Sequence, residues 1–192
     1  MRLYLRTFGC RANQYDSEAV RAMAEAAGAT LVDEAAEADV AVFNSCAVTA
    51  EAEADLRKAV RRAARERPGL RTVVMGCAAA LPRAAGDARD PAALPNVVAV
   101  VPGADLAGVA AALDLPPAAA GVVATAQSGA RALLRVQDGC DEHCTFCATT
   151  MARGAARSRT VDALVDEARR LAERHPEIVL TGVHVGTYGR DL

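Results

Sequence analysis

Val40-Ala41-Val42-Phe43-Asn44-Ser45-Cys46 is a continuous apolar run that breaks into two small polar residues and a cysteine. A short run rich in β-branched and aromatic residues, closed by turn residues, reads as a strand buried on both faces. Thr49 follows as a helix N-cap with Glu51 and Glu53 in the first turn, and the helical pattern continues to Arg67. The same unit recurs on either side. Arg2 to Phe8 reads as a strand ended by Gly9-Cys10, with a helix from Ser17 to Ala27 closed by Gly28. Thr72 to Met75 ends in Gly76-Cys77, and Val97 to Val101 ends in Pro102-Gly103. Strands alternating with helices predict an α/β fold with a parallel, doubly wound sheet.

That sheet places the first three cysteines. Cys10, Cys46 and Cys77 each follow the carboxyl end of a different predicted strand, the edge at which open α/β sheets bind ligands. They are therefore expected to converge in space as a triad that holds a metal cluster. Three unrelated buried cysteines are the alternative, since free cysteine is often buried. The division of six cysteines into three and three, all at loop positions, favours two sites. Gly9 and Gly76 would let the backbone bend tightly and turn amide hydrogens toward sulfur, or are ordinary loop glycines. Asn13 and Asn44 either hold these loops or are simple turn residues.

Pro82 to Pro95 reads as a connection with at most one short helical turn, and Pro116 to Gly129 as an interdomain linker. The expected division is residues 1–115, a linker over 116–130, and a second domain over 131–192. The second domain opens with a strand, Ala132 to Gln137, followed by Gly139-Cys140-Asp141-Glu142-His143-Cys144-Thr145-Phe146-Cys147. A helix from Thr160 to about Arg174 and a strand from Glu177 to Thr181 complete the pattern. Cys140, Cys144 and Cys147 lie too close in sequence for good pairwise disulfides and are expected to share a metal. Zinc would want a fourth protein ligand, and only His143 is near, which reads better as a solvent-facing loop residue. A 4Fe-4S cubane accepts three cysteines and leaves one iron open.

C-x3-C-x2-C with an aromatic before its last cysteine resembles the radical S-adenosylmethionine (radical SAM) superfamily. Leu134 to Gly139, Ala152-Arg153-Gly154 and Arg157-Ser158-Arg159 narrow the resemblance to the methylthiotransferases, as do Phe8 to Gln14, Asn44 to Thr49 and Met75 to Ala78. The chain departs from that family's pattern at Ala148-Thr149-Thr150, where an isoleucine and a proline are common. The resemblance implies a methylthiotransferase N-terminal domain followed by a radical SAM (β/α) partial barrel, here truncated, without the family's C-terminal RNA-binding domain. It implies two 4Fe-4S clusters and S-adenosyl-L-methionine. The cluster on Cys140, Cys144 and Cys147 would bind and cleave S-adenosylmethionine to a 5'-deoxyadenosyl radical. The cluster on Cys10, Cys46 and Cys77 would hold the sulfur to be transferred. Asn13 to Glu18, Cys46 to Thr49 and Leu180 to Leu192 most resemble the enzymes that act on threonylcarbamoyladenosine at tRNA position 37, beside the anticodon. Isopentenyladenosine tRNA and ribosomal-protein enzymes are the nearest alternatives. The partners implied are tRNA and an electron donor such as flavodoxin or ferredoxin. The truncated chain is expected to be a monomer and inactive by itself.

Composition is consistent with this and excludes less. A net charge of −2 is not that of a globally basic nucleic-acid binder. Arg57, Lys58, Arg61, Arg62 and Arg65 form a basic helix face that is either solvated or an RNA contact, without aromatic residues to stack bases. No apolar stretch is long enough to span a membrane, and the amino terminus has no signal-peptide core, so a cytoplasmic location is expected. A two-cluster electron carrier and a zinc-stabilised RNA-binding module are the rival classes. The first would typically use C-x2-C-x2-C-x3-C-P, which is absent, and the second would need four ligands per site.

Overall fold

The computed structural model describes residues 1–84, 86–142 and 144–192. His143, read above as a solvent-facing loop residue, lies outside them. The first sheet has five parallel strands: β1 (Arg2–Thr7), β2 (Thr30–Val32), β3 (Val40–Ser45), β4 (Arg71–Gly76) and β5 (Val97–Pro102). Their order is β2-β1-β3-β4-β5. β2 is an edge strand of three residues, too short to leave a periodic signal in the sequence.

Every residue of β3 is buried, because helices cover both faces of the central strands. Val40 and Val42 pack with Leu3, Val73 and Met75 against α1 (Arg11–Ala26) and α4 (Leu106–Ala112), through Val20, Met23 and Val109. Ala41 and Phe43 turn to the other face, where Leu56 and Val60 of α2 (Ala50–Glu66) meet them. Thr49 caps α2 as expected, its hydroxyl accepting from the Ala52 amide at 3.1 Å.

α1 begins at Arg11, well before the expected Ser17. Its first turns hold Asn13 and Asp16, polar residues that weaken a helix read in isolation. Both are buried, and tertiary partners satisfy them. A short helical turn, α3 (Cys77–Ala80), follows β4 directly, so Cys77 opens a helix where a loop was expected.

The second sheet is β7-β6-β8: β6 (Arg131–Asp138), β7 (Arg157–Ser158) antiparallel to it, and β8 (Glu177–Gly182) parallel to it. α5 (Thr149–Arg153) follows the cysteine loop. α6 (Val161–Ala172) covers one face, packing Leu164 and Leu171 on Ala132, Leu134 and Val136. Together β6, α6 and β8 form one β-α-β unit. Between the sheets the chain is tied down. Ala119 is buried in the first sheet's core, Ser128 donates its hydroxyl to Glu18 of α1, and Gln127 pairs through its side-chain amide with both backbone groups of Leu133 at 2.7 Å.

Candidate metal centre

The strand order reverses at β1, so β1 and β3 flank the topological switch point of the sheet, the crevice where such sheets bind ligands. Cys10 follows β1, Cys46 follows β3 and Cys77 follows β4, all at the carboxyl edge. Gly9 lies so close to Cys46 that a Cβ added to it would stand 2.7 Å from the Cys46 Cβ. Gly76 has φ 96°, and a side chain there would strike Asn44 and the Ser45 backbone. Both glycines are thus required by close approach and by backbone conformation.

Asparagines lock the crevice. Asn13 Nδ2 donates to Asn44 Oδ1 at 3.0 Å and to the Ser45 carbonyl at 2.7 Å. Asn44 Nδ2 returns a bond to the Asn13 carbonyl at 2.8 Å and reaches Ser17 Oγ at 3.0 Å. Of the two readings left open for these residues, loop-holding is the one their contacts support. The Cys10 thiol donates to Asn13 Oδ1 at 3.3 Å. The Ser45 hydroxyl donates to the Met75 carbonyl at 2.5 Å and accepts from the Ala78 amide at 3.1 Å, which fixes the turn that carries Cys77. Burial pushes the Cys77 thiol up, and the Arg153 guanidinium beside it opposes that shift.

The second triad sits on a loop held mainly at its start. Gln137, buried at the end of β6, donates to the Gly139 carbonyl at 2.7 Å and accepts the His184 amide at 2.8 Å. The Cys140 amide donates to the Gly154 carbonyl at 3.0 Å, and the Cys147 amide to the Cys144 carbonyl at 3.1 Å. Cys140 is half-buried, with its sulfur 3.6 Å from His184 Nδ1, whereas Cys144 and Cys147 are exposed. Cys147 Sγ lies 3.0 Å from Thr149 Oγ1, and this contact, with the Thr149 amide, lowers the thiol's pKa. Within the stretch that departs from the family pattern, Thr149 thus brings both its hydroxyl and its amide to the Cys147 sulfur.

One cysteine of each set, Cys77 and Cys147, lines a cavity of about 180 Å³, together with Ala47, Val48, Phe146 and Ala152, among others. Val48 and Phe146 form an exposed apolar rim there, Phe146 being 91% exposed.

Among the described residues, no three His, Cys, Asp or Glu side chains are drawn together tightly enough to ligate a single metal ion. Zinc, about 2.3 Å from each sulfur, would need thiolates within roughly 4 Å of one another. A cubane presents a different iron to each cysteine and takes them farther apart. The donors at hand, cysteine sulfurs with amides and small polar groups around them, are of the kind a cubane takes.

Sequence reasoning missed the residues that join the two halves. Asp16, Arg135, Asp138 and Arg153 form a buried ion network, in which Arg153 lies 2.7 Å from Asp16 and 3.2 Å from Asp138, and Arg135 also binds Asp16. Tyr15 donates to Glu167 of α6 at 3.0 Å, and Arg159 pairs with the same carboxylate at 2.6 Å. An isolated polar residue on a helix gives no sign of a partner more than a hundred positions away. The basic face of α2 is partly neutralised within its own helix, through Arg57 to Glu53, Lys58 to Asp55 and Arg62 to Glu66.

Residues 2–94 match the family described as "Uncharacterized protein family UPF0004", and residues 134–191 match the "Radical SAM superfamily". The chain is 34% identical to the threonylcarbamoyladenosine tRNA methylthiotransferase MtaB of Rickettsia prowazekii, over 97% of this chain and 44% of that protein. It is 34% identical to the ribosomal protein uS12 methylthiotransferase RimO of a Roseiflexus species, over 100% of this chain and 48% of the relative. It is 35% identical to the tRNA-2-methylthio-N(6)-dimethylallyladenosine synthase of Frankia casuarinae, over 98% and 38%. The chain thus spans less than half the length of these curated relatives. With a UPF0004 domain at the switch-point crevice and radical SAM sequence around the second cysteine loop, the chain belongs to the radical SAM methylthiotransferase family.

Proposed function

We propose that these residues are the cofactor-holding part of a tRNA methylthiotransferase acting at C2 of threonylcarbamoyladenosine 37. One small apolar cavity lined by a cysteine from each set, Cys77 and Cys147, carries this reading. Likeness to MtaB proteins at 34% and 33% identity supports the choice of branch. Cys140, Cys144 and Cys147 would hold the cluster that binds S-adenosylmethionine, and Cys10, Cys46 and Cys77 a second 4Fe-4S cluster. Those groups, when bound, supply a one-electron cleavage of the cofactor and a transferable sulfur.

The chain's own residues prepare the place. Gln137 and the Cys140 amide fix the start of the second loop. Thr149 keeps Cys147 toward its ionised, metal-binding form. Asn13 and Asn44 hold the first triad's loops in register. Val48 and Phe146 offer apolar surface to a flat ring or to the cofactor's methylene groups. An electron donor of the flavodoxin or ferredoxin kind would reach the exposed Cys144 side.

Deletion of the gene in its host, followed by mass spectrometry of tRNA nucleosides, tests the substrate. Loss of the methylthio group from threonylcarbamoyladenosine is expected. Loss from isopentenyladenosine, or from a ribosomal protein, would transfer the assignment to that branch, whose relatives also match the chain.

A further inference from the structure

Arg153 is nearly fully buried, at 6% exposure, and nothing in the radical chemistry described above uses it. Its guanidinium makes contacts in both halves of the molecule. On the N-terminal side, Nη2 lies 2.7 Å from Asp16 Oδ2 and 3.4 Å from Asn13 Oδ1, the same oxygen that accepts the Cys10 thiol at 3.3 Å. On its own side, Nη1 lies 3.2 Å from Asp138 Oδ1 at the end of β6. The next residue, Gly154, gives its carbonyl to the Cys140 amide at 3.0 Å. One side chain and one peptide therefore connect the first cysteine of one triad to the first cysteine of the other.

An ordinary interdomain salt bridge is the plain alternative. Buried ion pairs add little net stability, because desolvation offsets most of the attraction, and their best-attested use is to fix one arrangement among several. Three details favour fixing. Arg153 serves two carboxylates and an amide oxygen at once, a fork that lysine cannot reproduce. Asn13, which it touches, also sets the Asn44 and Ser45 loop. An arginine keeps its charge, and its contacts with Asp16, Asp138 and Asn13 fix that cation beside the first triad.

We propose that Arg153 is a positioning residue that sets the two cysteine loops against each other, through Asn13 and Asp16 on one side and Gly154 on the other, and places a fixed positive charge beside the first triad. The charge component rests on the two-cluster reading, while the coupling of the loops does not.

Hydrogen exchange on the iron-free chain tests the coupling, using Arg153→Met, Arg153→Lys and the near-isosteric Asp16→Asn. Asp16→Asn should speed exchange at the Cys140 amide, in the other half of the molecule, by about tenfold or more, as loss of a buried charge partner implies. Arg153→Met should do the same at the Gln14 amide, which bonds to the Cys10 carbonyl. Amides of β3 and β4 should be unchanged, which separates this from unfolding. Unaltered exchange at both distant amides would overturn the proposal. In the iron-loaded chain carrying Cys144→Ala, which leaves the first triad intact, Arg153→Met should move the remaining cluster's reduction potential to more negative values, and Arg153→Lys less so. A potential that does not move would reduce Arg153 to a structural tie and defeat the charge role. A wild-type chain that takes up no iron would instead sink the two-cluster reading, with the exchange result still deciding the coupling.

Discussion

Asn13 and Asn44, on α1 and at the end of β3, grip each other: each donates its side-chain amide to the other residue, at 3.0 Å and 2.8 Å. Both are fully buried, so a partner lost from one leaves unsatisfied polar atoms in the other. Asn44→Ala is expected to destabilise the chain by about 1–3 kcal/mol. Chemical denaturation followed by circular dichroism would measure this. An unchanged midpoint would mean that the pair contributes nothing net.

The Thr149 contact makes a prediction about one thiol. Cys147 has its pKa lowered by the Thr149 side chain and then by the Thr149 amide. Thr149→Val should raise it, and Thr149→Ser should restore it. Alkylation of Cys147 in the iron-free chain, followed peptide by peptide against pH, should show half-maximal reaction at a higher pH in the valine variant. Equal profiles would show that the hydroxyl does not act on the thiol.

Tyr15 joins α1 to α6, and burial, with the Glu167 carboxylate next, raises its phenol from 10.0 to about 12. An acid raised on folding contributes its stability fully below its unfolded pKa and loses it as pH climbs through the folded one. The interface should therefore hold below about pH 10 and weaken from there toward 12. With no tryptophan and three tyrosines in the chain, phenolate absorbance reports this cleanly. Tyr15→Phe should remove the component that titrates at the highest pH.

Iron content distinguishes two sites from one. The anaerobically reconstituted chain is expected to hold about eight irons as two cubanes, and Cys144→Ala or Cys46→Ala should each roughly halve that number. Iron and sulfide assays with EPR are the check. Complete loss of iron in either variant would point to a single shared site.

These 192 residues alone should cleave S-adenosylmethionine slowly or not at all. β8 lies at the edge of its sheet, Leu180 is 63% exposed, and Cys144, Phe146 and Cys147 face solvent, so water reaches the ground where a radical would form. Anaerobic incubation with dithionite, assayed for 5'-deoxyadenosine, gives the rate. Many turnovers by this chain would refute the expectation.

The sequence by itself determined the alternation of strands and helices, because β3 and β4 are buried on both faces and so carry the apolar runs Val40 to Phe43 and Val73 to Met75, and because Thr49 announces its helix by a local bond. It also determined that Cys10, Cys46 and Cys77 follow strands, since each lies within a few residues of an apolar run. The tertiary structure alone decided what depends on partners distant in the chain. The start of α1 at Arg11 was not legible, because Asn13 and Asp16 oppose a helix until Asn44 and Arg153 satisfy them. Nor was the junction of Asp16 with Arg153, set 137 residues apart. Local propensity and periodicity act over a turn or a strand, whereas a buried charge is tolerable only where the fold brings its counter-charge, and that pairing is written in no single stretch of the chain.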